Sequence, residues 1–307
     1  MSLYFRLIVI VFFTAQFTPS QGQSFQLLKR SDFDLKGPVQ SCVVLTKYGR
    51  EQYTFNTQGY LISAATIFGN KDSETTYYKY IGKRIAEKRF EVFSQGKLDK
   101  VHSLASFYTY DSVPSLTIKE RVMNYDRKFI DQFTFKFDSL GQVIREINTN
   151  TLGRYITEVK YRRDSLQNSR ITVFSVDSLP IKRIDSFFNS SKKSLSRALK
   201  KYITYQYADG YLKNESRYFL NSKSLVQRVQ ELSYAKTDNF PVLLSEAEYL
   251  YEFNEWGGAN QLIIKKGLTS QTKKFIYQLD GSPHGNWIKK ITTPDNNYTT
   301  RKITYFN

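Results

Sequence analysis

The amino-acid sequence predicts an all-β fold, in which a long antiparallel meander of repeated hairpins coils into an open shell, a spiral or a layered sheet. Three observations support this prediction. Aromatic residues are abundant, with 23 Tyr, 23 Phe and 2 Trp among 307 residues. An aromatic-x-aromatic motif recurs along the chain, and a polar turn follows most copies. Within the motifs, apolar and polar residues alternate with a period of two, which is typical of half-buried strands.

The repeat unit is an aromatic-x-aromatic run, a polar turn with Gly, Asp, Asn or Ser, and then an aliphatic residue. Equivalent aromatic residues from Phe55 to Tyr161 are separated by 25, 30, 27 and 24 residues, and further turns fall between them. Turns at roughly 12-residue to 15-residue intervals are typical of antiparallel strands joined by short loops. The side chains predicted to form the core of the repeats are Tyr53, Phe55, Tyr78, Tyr80, Phe135, Phe137, Tyr205, Tyr207, Tyr251, Phe253, Tyr277 and Trp287.

The alternation is clearest in residues 131–138, where three phenylalanines share one face and Thr134 and Lys136 take the other. Helical patterns occur only locally, in residues 194–201 and 224–232, and the rhythm of the turns argues against both. No linker rich in Pro, Gly or Ser divides the chain. We therefore expect one repeat domain over residues 23–307, with its most irregular stretch around 164–193.

Residues 1–22 have the order of features of a secretory signal peptide. Arg6 ends a short basic region, the apolar core Leu7–Phe13 follows, and the small residues Ser20 and Gly22 suit cleavage. The apolar run is too short to span a bilayer, and no later stretch is long enough for a membrane helix. We expect an exported protein in the periplasm, at the cell surface or outside the cell.

Composition excludes several classes of protein. A hydrophobic fraction of 40% excludes wholesale disorder, and 15 Gly and 7 Pro are too few for a collagen-like chain. The single cysteine, Cys42, cannot form a disulfide framework or a cysteine-built metal site. We expect Cys42 to be a buried, small hydrophobic residue and not a nucleophile.

The segment from Asp280 to Trp287, followed by Lys289 and Lys290, resembles the YD repeat of Rhs-type secreted proteins. The start at Asp34 is similar to that of exported YD-repeat-like proteins of the Bacteroidetes type. The resemblance spans most of the mature chain in degenerate copies. It implies a long antiparallel sheet coiled into a shell or spiral, with a scaffolding, surface or binding role. Because the last copy runs almost to the end, we do not expect the C-terminal toxin that large Rhs proteins encapsulate.

No common catalytic signature is present, since HExxH, GxSxG, Walker A and GxGxxG motifs are all lacking. The two histidines, His102 and His284, are far apart in sequence and lack neighbouring Cys, which argues against a metal site. Acidic residues at the starts of turns, Asp138, Asp209 and Asp280, are explained by turn capping. We predict no enzymatic activity, no catalytic residue, no cofactor and no metal.

The basic excess is the feature that suggests a partner. The chain has 45 Lys and Arg against 28 Asp and Glu, a net charge of +17. The predicted polyanion patch consists of Lys192, Lys193, Arg197, Lys200 and Lys201. Lysines on the solvent face of strands also prevent edge-to-edge aggregation, so both interpretations stay open. For an exported chain, an anionic glycan or a lipid headgroup is a better expected partner than nucleic acid.

Two functional hypotheses from different classes remain. The first is a soluble, exported β-repeat protein with a structural or binding role at the cell envelope, and its aromatic face must be hidden by curling, layering or pairing. The alternative is an outer-membrane β-barrel, which a signal peptide, strands near ten residues and the terminal Ile303–Phe306 would suit. Against it, Tyr249, Tyr251 and Phe253 follow one another on one face, where a lipid-facing strand would be aliphatic.

Overall fold

The computed structural model describes residues 27–47, 49–69, 71–113, 116–164, 168–175, 177–188, 199–236 and 241–307. Over these residues the protein has one short 3-10 helix, Arg30–Phe33, and 21 antiparallel strands, which confirms the predicted all-β class. No helix in these ranges is long and apolar enough to cross a bilayer. The signal peptide predicted for residues 1–22 lies outside the described residues.

The strands are β1 Val39–Thr46, β2 Gly49–Phe55, β3 Leu61–Ile67, β4 Ser73–Ile81, β5 Arg84–Ser94, β6 Lys97–Leu98, β7 Leu104–Asp111, β8 Thr117–Asn124, β9 Phe129–Phe137, β10 Val143–Asn150, β11 Gly153–Arg163, β12 Ser169–Phe174, β13 Pro180–Phe188, β14 Leu199–Ala208, β15 Tyr211–Leu220, β16 Val226–Ala235, β17 Val242–Phe253, β18 Ala259–Lys266, β19 Thr269–Leu279, β20 Trp287–Thr293 and β21 Asn297–Tyr305. The local helical patterns at 224–232 and at 199–201 do not form helices, because β16 and β14 occupy most of these residues. This agrees with the argument from the rhythm of the turns. Residues 194–198 lie outside the described ranges. The stretch predicted to be irregular contains the regular strands β12 and β13.

The sheet is a closed barrel. Each strand pairs with the next along the chain, except that the two-residue β6 pairs only with β5, and β5 pairs with β7. The first and last strands then pair with each other, with Cys42 opposite Ile303 and Val44 opposite Arg301. The ring therefore has 20 strands in the described part of the chain. The expected open shell, spiral or layered sheet is wrong, because this pairing satisfies the edges that an open sheet would leave free.

The barrel is hollow. Among the described residues, each cluster of packed hydrophobic side chains joins only strands that lie near one another in the ring. A round barrel of 20 strands spaced about 4.8 Å apart and tilted about 40° measures about 40 Å across its backbone. Side chains from one wall are too short to fill such a space.

Strand pairing assigns the side chains to two faces. On one face Phe55, Leu61 and Ile85 are only 1% exposed, whereas on the other Arg50 and Arg89 are exposed. Side chains converge on the concave side of a barrel and diverge on the convex side. We therefore call the buried, aromatic face the inner face and the exposed face the outer face. The aromatic face was expected to be hidden by curling, by layering or by pairing with another chain. The structure shows the first of these, because the sheet curls and closes on itself.

The repeat is one hairpin of the ring. Every second strand ends at the same end of the barrel, which we call the aromatic rim. The inner-face aromatic residues that lie there are Phe55, Tyr80, Tyr110, Phe137, Tyr161, Phe188, Phe253, Tyr277 and Tyr305, and Leu220 takes the place in β15. Most predicted core residues lie on this face, and Trp287 is buried there.

Tyr205 and Tyr207 are corrections to the predicted core. They belong to β14, which runs away from the aromatic rim, and Tyr205 lies opposite Arg183 and Glu215 on the outer face. The residue in phase with Tyr161 is Phe188, 27 residues later. The turn at Asp209 is correspondingly different: Asp209 and Gly210 form a two-residue hairpin turn with φ of 50° and 79°.

Five turns, most of them at the aromatic rim, share one construction. In the turn that starts at Asn56, Oδ1 accepts the N–H of Tyr60 at 2.9 Å, and the N–H of Gly59 donates to the carbonyl of Asn56. The same bonds recur in the turns that start at Asn124, Asp138, Asn221 and Asn254. The fourth residue of each turn has a positive φ, which explains the recurrent glycine. Turn capping by Asp138 is thereby confirmed, as it is for Asp280, whose Oδ1 accepts the N–H of Ser282 at 3.0 Å.

A tyrosine hydroxyl joins successive repeats near the rim. Four tyrosines each donate a hydrogen bond of 2.5 to 2.9 Å to a backbone carbonyl on the preceding strand: Tyr80 to Leu61, Tyr110 to Ile85, Tyr161 to Val143 and Tyr277 to Ala259. Each acceptor lies at a β-bulge, where the regular ladder is interrupted. The bond therefore satisfies a carbonyl beside a break in the ladder, which gives the tyrosine of the repeat a specific role.

Candidate functional site

The N-terminal segment, residues 27–38, covers part of the inner face at the aromatic rim. The ring of Phe33 lies 4.6 Å from that of Tyr53 and 5.5 Å from that of Phe55, between centroids. The N–H of Leu61 donates to the carbonyl of Leu28 at 2.8 Å. The segment thus adds an apolar layer over β1, β2 and β3, and the core of this region forms around it.

Arg301 of β21 anchors this segment to the closing strands. Its guanidinium donates to the carbonyls of Phe33 and Asp34 at 3.1 and 3.2 Å and lies 3.5 Å from the ring centroid of Trp287. The indole N–H of Trp287 donates to Asp34 Oδ2 at 2.8 Å. The contacts join both sides of the β1–β21 seam, so we assign this cluster a structural role and call it the seam lock.

The histidines and the cysteine lie apart from one another. His102 is exposed, with Nδ1 2.7 Å from Asp99 Oδ2, whereas His284 lies 5.7 Å from Tyr305 between ring centroids. Cys42 is buried on the inner face, as predicted, and burial raises the pKa of its thiol to about 11. Among the described residues, no group of three or more His, Cys, Asp or Glu is arranged to hold a metal ion.

The inner face becomes polar away from the aromatic rim. Glu120 is buried there; it accepts the hydroxyl of Tyr108 at 2.8 Å and lies 3.5 Å from Lys88 Nζ. Burial, and then the charge of Glu120, raises the pKa of Glu146. Charged groups therefore face the hollow interior, where they are partly satisfied by their neighbours.

The outer face carries charge around most of the ring. Ion pairs on this face have N–O distances of 2.5 to 3.2 Å and include Lys119–Asp111, Arg145–Glu158, Arg217–Glu215, Arg228–Glu248 and Lys265–Glu248. These residues lie within strands and not only at strand ends. Such a surface is compatible with water along the length of the barrel.

The outer face of β11, β12 and β13 holds a hollow of about 260 Å³, which we call the basic groove. The charged side chains that line it are Lys160, Arg162, Arg170 and Arg183. Asp185 lies at its edge, 9% exposed, and accepts two hydrogen bonds from Arg170 at 2.7 and 3.1 Å. The groove therefore has more cations than this one carboxylate can neutralise.

Two cations of the groove rest on aromatic rings. Arg183 lies 3.8 Å from the ring centroid of Tyr205, and Lys160 lies 4.8 Å from that of Phe174. The two tyrosines that the sequence placed in the core thus belong to this surface, because Tyr207 also lines the groove. The rings hold the cations in place and cover their apolar stems.

Only two residues of the predicted polyanion patch, Lys200 and Lys201, belong to the described part of the chain. Lys192, Lys193 and Arg197 fall outside the described residues, whereas Lys200 and Lys201 are the second and third residues of β14. Lys201 lies on the outer face, 4.7 Å from the ring centroid of Phe187. The groove cations were missed because three separate strands bring them together. Their sequence signal is the alternation of Lys160 and Arg162 along one strand.

Comparisons with solved structures find similar chains, and two of them illustrate the likeness. No family model matches the chain, and no curated protein matches it. A porin-like protein from Bacteroides uniformis superposes with a TM-score of 0.35 and 8% identity, over 87% of this chain and 98% of that one. The structure described as TcdB2-TccC3-TEV gives a TM-score of 0.19 and 11% identity, over 80% of this chain and 20% of that one. Both TM-scores are low, so the description of the fold rests on the strand pairing alone.

Proposed function

We propose that the protein is an exported, hollow β-barrel that stands in water at the cell envelope and has a binding or structural role there. Export is supported by the signal-peptide pattern of residues 1–22. The observation that carries the proposal is the charge on the outer face. No reaction is proposed, because the described groups form turn caps, ion pairs and a structural lock.

A lipid environment would be costly for this outer face. Arg145, Arg217 and Arg228 lie within strands on the face that would contact lipid. An Arg or Lys on the lipid face of a membrane barrel costs about 2 to 4 kcal/mol at the midplane of the bilayer. This cost falls to about 0 to 1 kcal/mol near the interfaces, but similar residues occur on most strands from β5 to β18, so the costs add up around the ring.

The apolar face supports the same proposal. Lipid-facing side chains of a membrane barrel are exposed when the chain is considered without lipid. Here Phe55, Leu61 and Ile85 are 1% exposed in the isolated chain. Their burial already removes this part of the apolar surface from water, whereas single large hydrophobic residues on the outer face, such as Phe107 and Ile276, are 41% and 56% exposed.

A second candidate function is the outer-membrane barrel. The observation in its favour is the closed ring of an even number of antiparallel strands, which is the architecture of such barrels. The closed ring fits this candidate better than the open shell of the soluble hypothesis. The two candidates differ in what contacts the outer face.

Solubility of the full-length chain distinguishes them. We would express it with its own N-terminus, purify it without detergent, and measure its mass by size-exclusion chromatography with light scattering. The proposal expects a compact species with β-type circular dichroism. Protein that stays insoluble until it is refolded in micelles, and then migrates differently in electrophoresis with and without heating, would contradict the proposal and support the membrane candidate.

A further inference from the structure

We propose that the basic groove on β11, β12 and β13 binds an anionic polysaccharide through its sulfate, phosphate or carboxylate groups. The inference rests on the proposed function in one respect, since the outer face must be open to water. It adds a ligand class and the residues that hold it. Four features of the groove support it.

The first feature is a pair of like charges placed opposite each other. Arg162 of β11 and Arg170 of β12 are direct cross-strand partners. Like charges in this position destabilise a sheet unless an anion lies between them. Asp185 neutralises Arg170, whereas no carboxylate of the described residues lies within ion-pair distance of Arg162. The arrangement leaves a place for an anion beside Arg162.

The second feature is Arg183, which must share its carboxylate partner with Arg170. Arg183 Nε is buried and makes no hydrogen bond among the described residues, although Asp185 Oδ2 lies 3.4 Å away. Both oxygens of that carboxylate already accept from Arg170. Nε itself is out of reach of a ligand, but the Arg183 side chain is 29% exposed, so a bound oxyanion would contact the exposed part of its guanidinium.

The third feature is the shape of the surface. A second hollow of about 320 Å³ adjoins the basic groove, and Arg162 and Arg170 line both. Together the hollows run from the middle of the strands towards the aromatic rim. Thr172, which pairs with both Lys160 and Arg183, supplies a neutral hydroxyl between the cations. An elongated groove with alternating charged and neutral donors suits a chain of sugars.

The fourth feature separates a polysaccharide from a nucleic acid. Proteins that bind single strands stack bases on open aromatic faces. Here Lys160 lies over Phe174 and Arg183 lies over Tyr205, so cations occupy one face of each ring. The contact with a ligand is therefore made by charge and hydrogen bonds, which anionic sugars provide.

The test compares K160S/R162S with the matched control K119S/R121S. Both pairs lie two residues apart on the outer face of a strand, and both variants lose two positive charges. The probe is heparin, titrated against the full-length protein over a series of NaCl concentrations. We expect K160S/R162S to lose about tenfold in affinity and about two units of salt slope, and the control to change by less than about twofold.

Three outcomes would overturn the inference. Equal losses in the two variants would show that net charge, and not the groove, attracts heparin. Tighter binding of single-stranded oligothymidylate, lost in the same variant, would make nucleic acid the occupant. Binding to phosphatidylcholine vesicles that contain phosphatidylglycerol, without binding to heparin, would assign the groove to a lipid surface.

Two controls keep the test decisive. Circular dichroism and melting temperature establish that each variant folds, and Arg162→Gln serves as a milder variant if the double substitution does not. Should the chain need detergent, the proposed function fails, and the same titration in a nonionic detergent still decides whether the groove binds heparin. The two failures are therefore distinguishable.

Discussion

The seam lock and the basic groove use arginine in opposite ways. At the seam lock Arg301 is buried and donates to two carbonyls of the N-terminal segment while it lies over Trp287. In the groove Arg170 is half-exposed, and it shares the one carboxylate with Arg183. The difference teaches that the charge of Arg301 is satisfied within the chain and helps to close the barrel, whereas the groove keeps positive charge in excess, which the proposed ligand would neutralise.

The largest expected effect comes from the cover over the inner face. Phe33→Ala should lower the free energy of unfolding by about 3 kcal/mol, because Phe33 is buried against Tyr53 and Phe55. The matched control is Phe174→Ala on the outer face, where the ring is only half-buried and the loss should be about 1 kcal/mol. Urea unfolding measures both. Equal losses would mean that the N-terminal segment does not stabilise the barrel.

A smaller effect is expected for the arginine of the seam. Arg301→Ala should cost about 2 kcal/mol, since it leaves two carbonyls without their donor and removes the contact with Trp287. Arg145→Ala breaks a half-exposed ion pair with Glu158 and should cost less than about 1 kcal/mol. Chemical denaturation compares the two variants. A larger loss for Arg145→Ala would reverse the roles assigned to these regions.

The hydrogen bonds that the repeat tyrosines donate to bulge carbonyls should contribute equally to stability in the half of the barrel near the seam lock and in the half that carries the basic groove. Tyr80→Phe, near the seam, and Tyr161→Phe, beside the groove, each remove one hydroxyl that donates to a carbonyl at a bulge. Each should lower stability by about 1 kcal/mol. Thermal unfolding of the two variants tests this equality. A loss confined to one of them would show that the bond is a local feature and not a property of the repeat.

The smallest effect concerns one turn at the rim opposite the aromatic rim. Arg127 has a φ of 62°, in the position that glycine takes in the related turns. Arg127→Gly should therefore raise stability by up to about 1 kcal/mol, whereas Gly141→Ala, at a φ of 74°, should lower it by a similar amount. Melting temperatures compare the two. Destabilisation by Arg127→Gly would argue that its side chain makes a more important contact.

The strands and turns could be predicted from the sequence because their causes are local. The period of two along 131–138 and the caps at Asn56 and Asp138 involve residues a few positions apart. The phase of the repeat was harder to predict. The turn motif follows Tyr207 in the sequence and does not follow Phe188, yet of these two residues only Phe188 lies at the aromatic rim.

Closure and the groove could not be predicted in the same way. The pairing of Val44 with Arg301 joins positions at opposite ends of the chain, and no local pattern encodes it. The groove combines side chains of three strands whose registers depend on bulges, as at Val173 and Phe174. A shift of one residue would move each side chain to the other face, so their meeting follows only from the whole sheet.

A disulfide across the seam tests the central claim of a closed barrel in water most directly. Val43 and Lys302 are cross-strand partners on the outer face, and partners in an antiparallel ladder lie about 4.5 to 5.5 Å apart between Cα atoms, within reach of a disulfide. In a Cys42→Ala background, V43C/K302C should oxidise within the monomer in detergent-free buffer, which non-reducing electrophoresis detects. Thiols that stay reduced, pair only between molecules, or oxidise only in micelles would contradict a closed barrel in water.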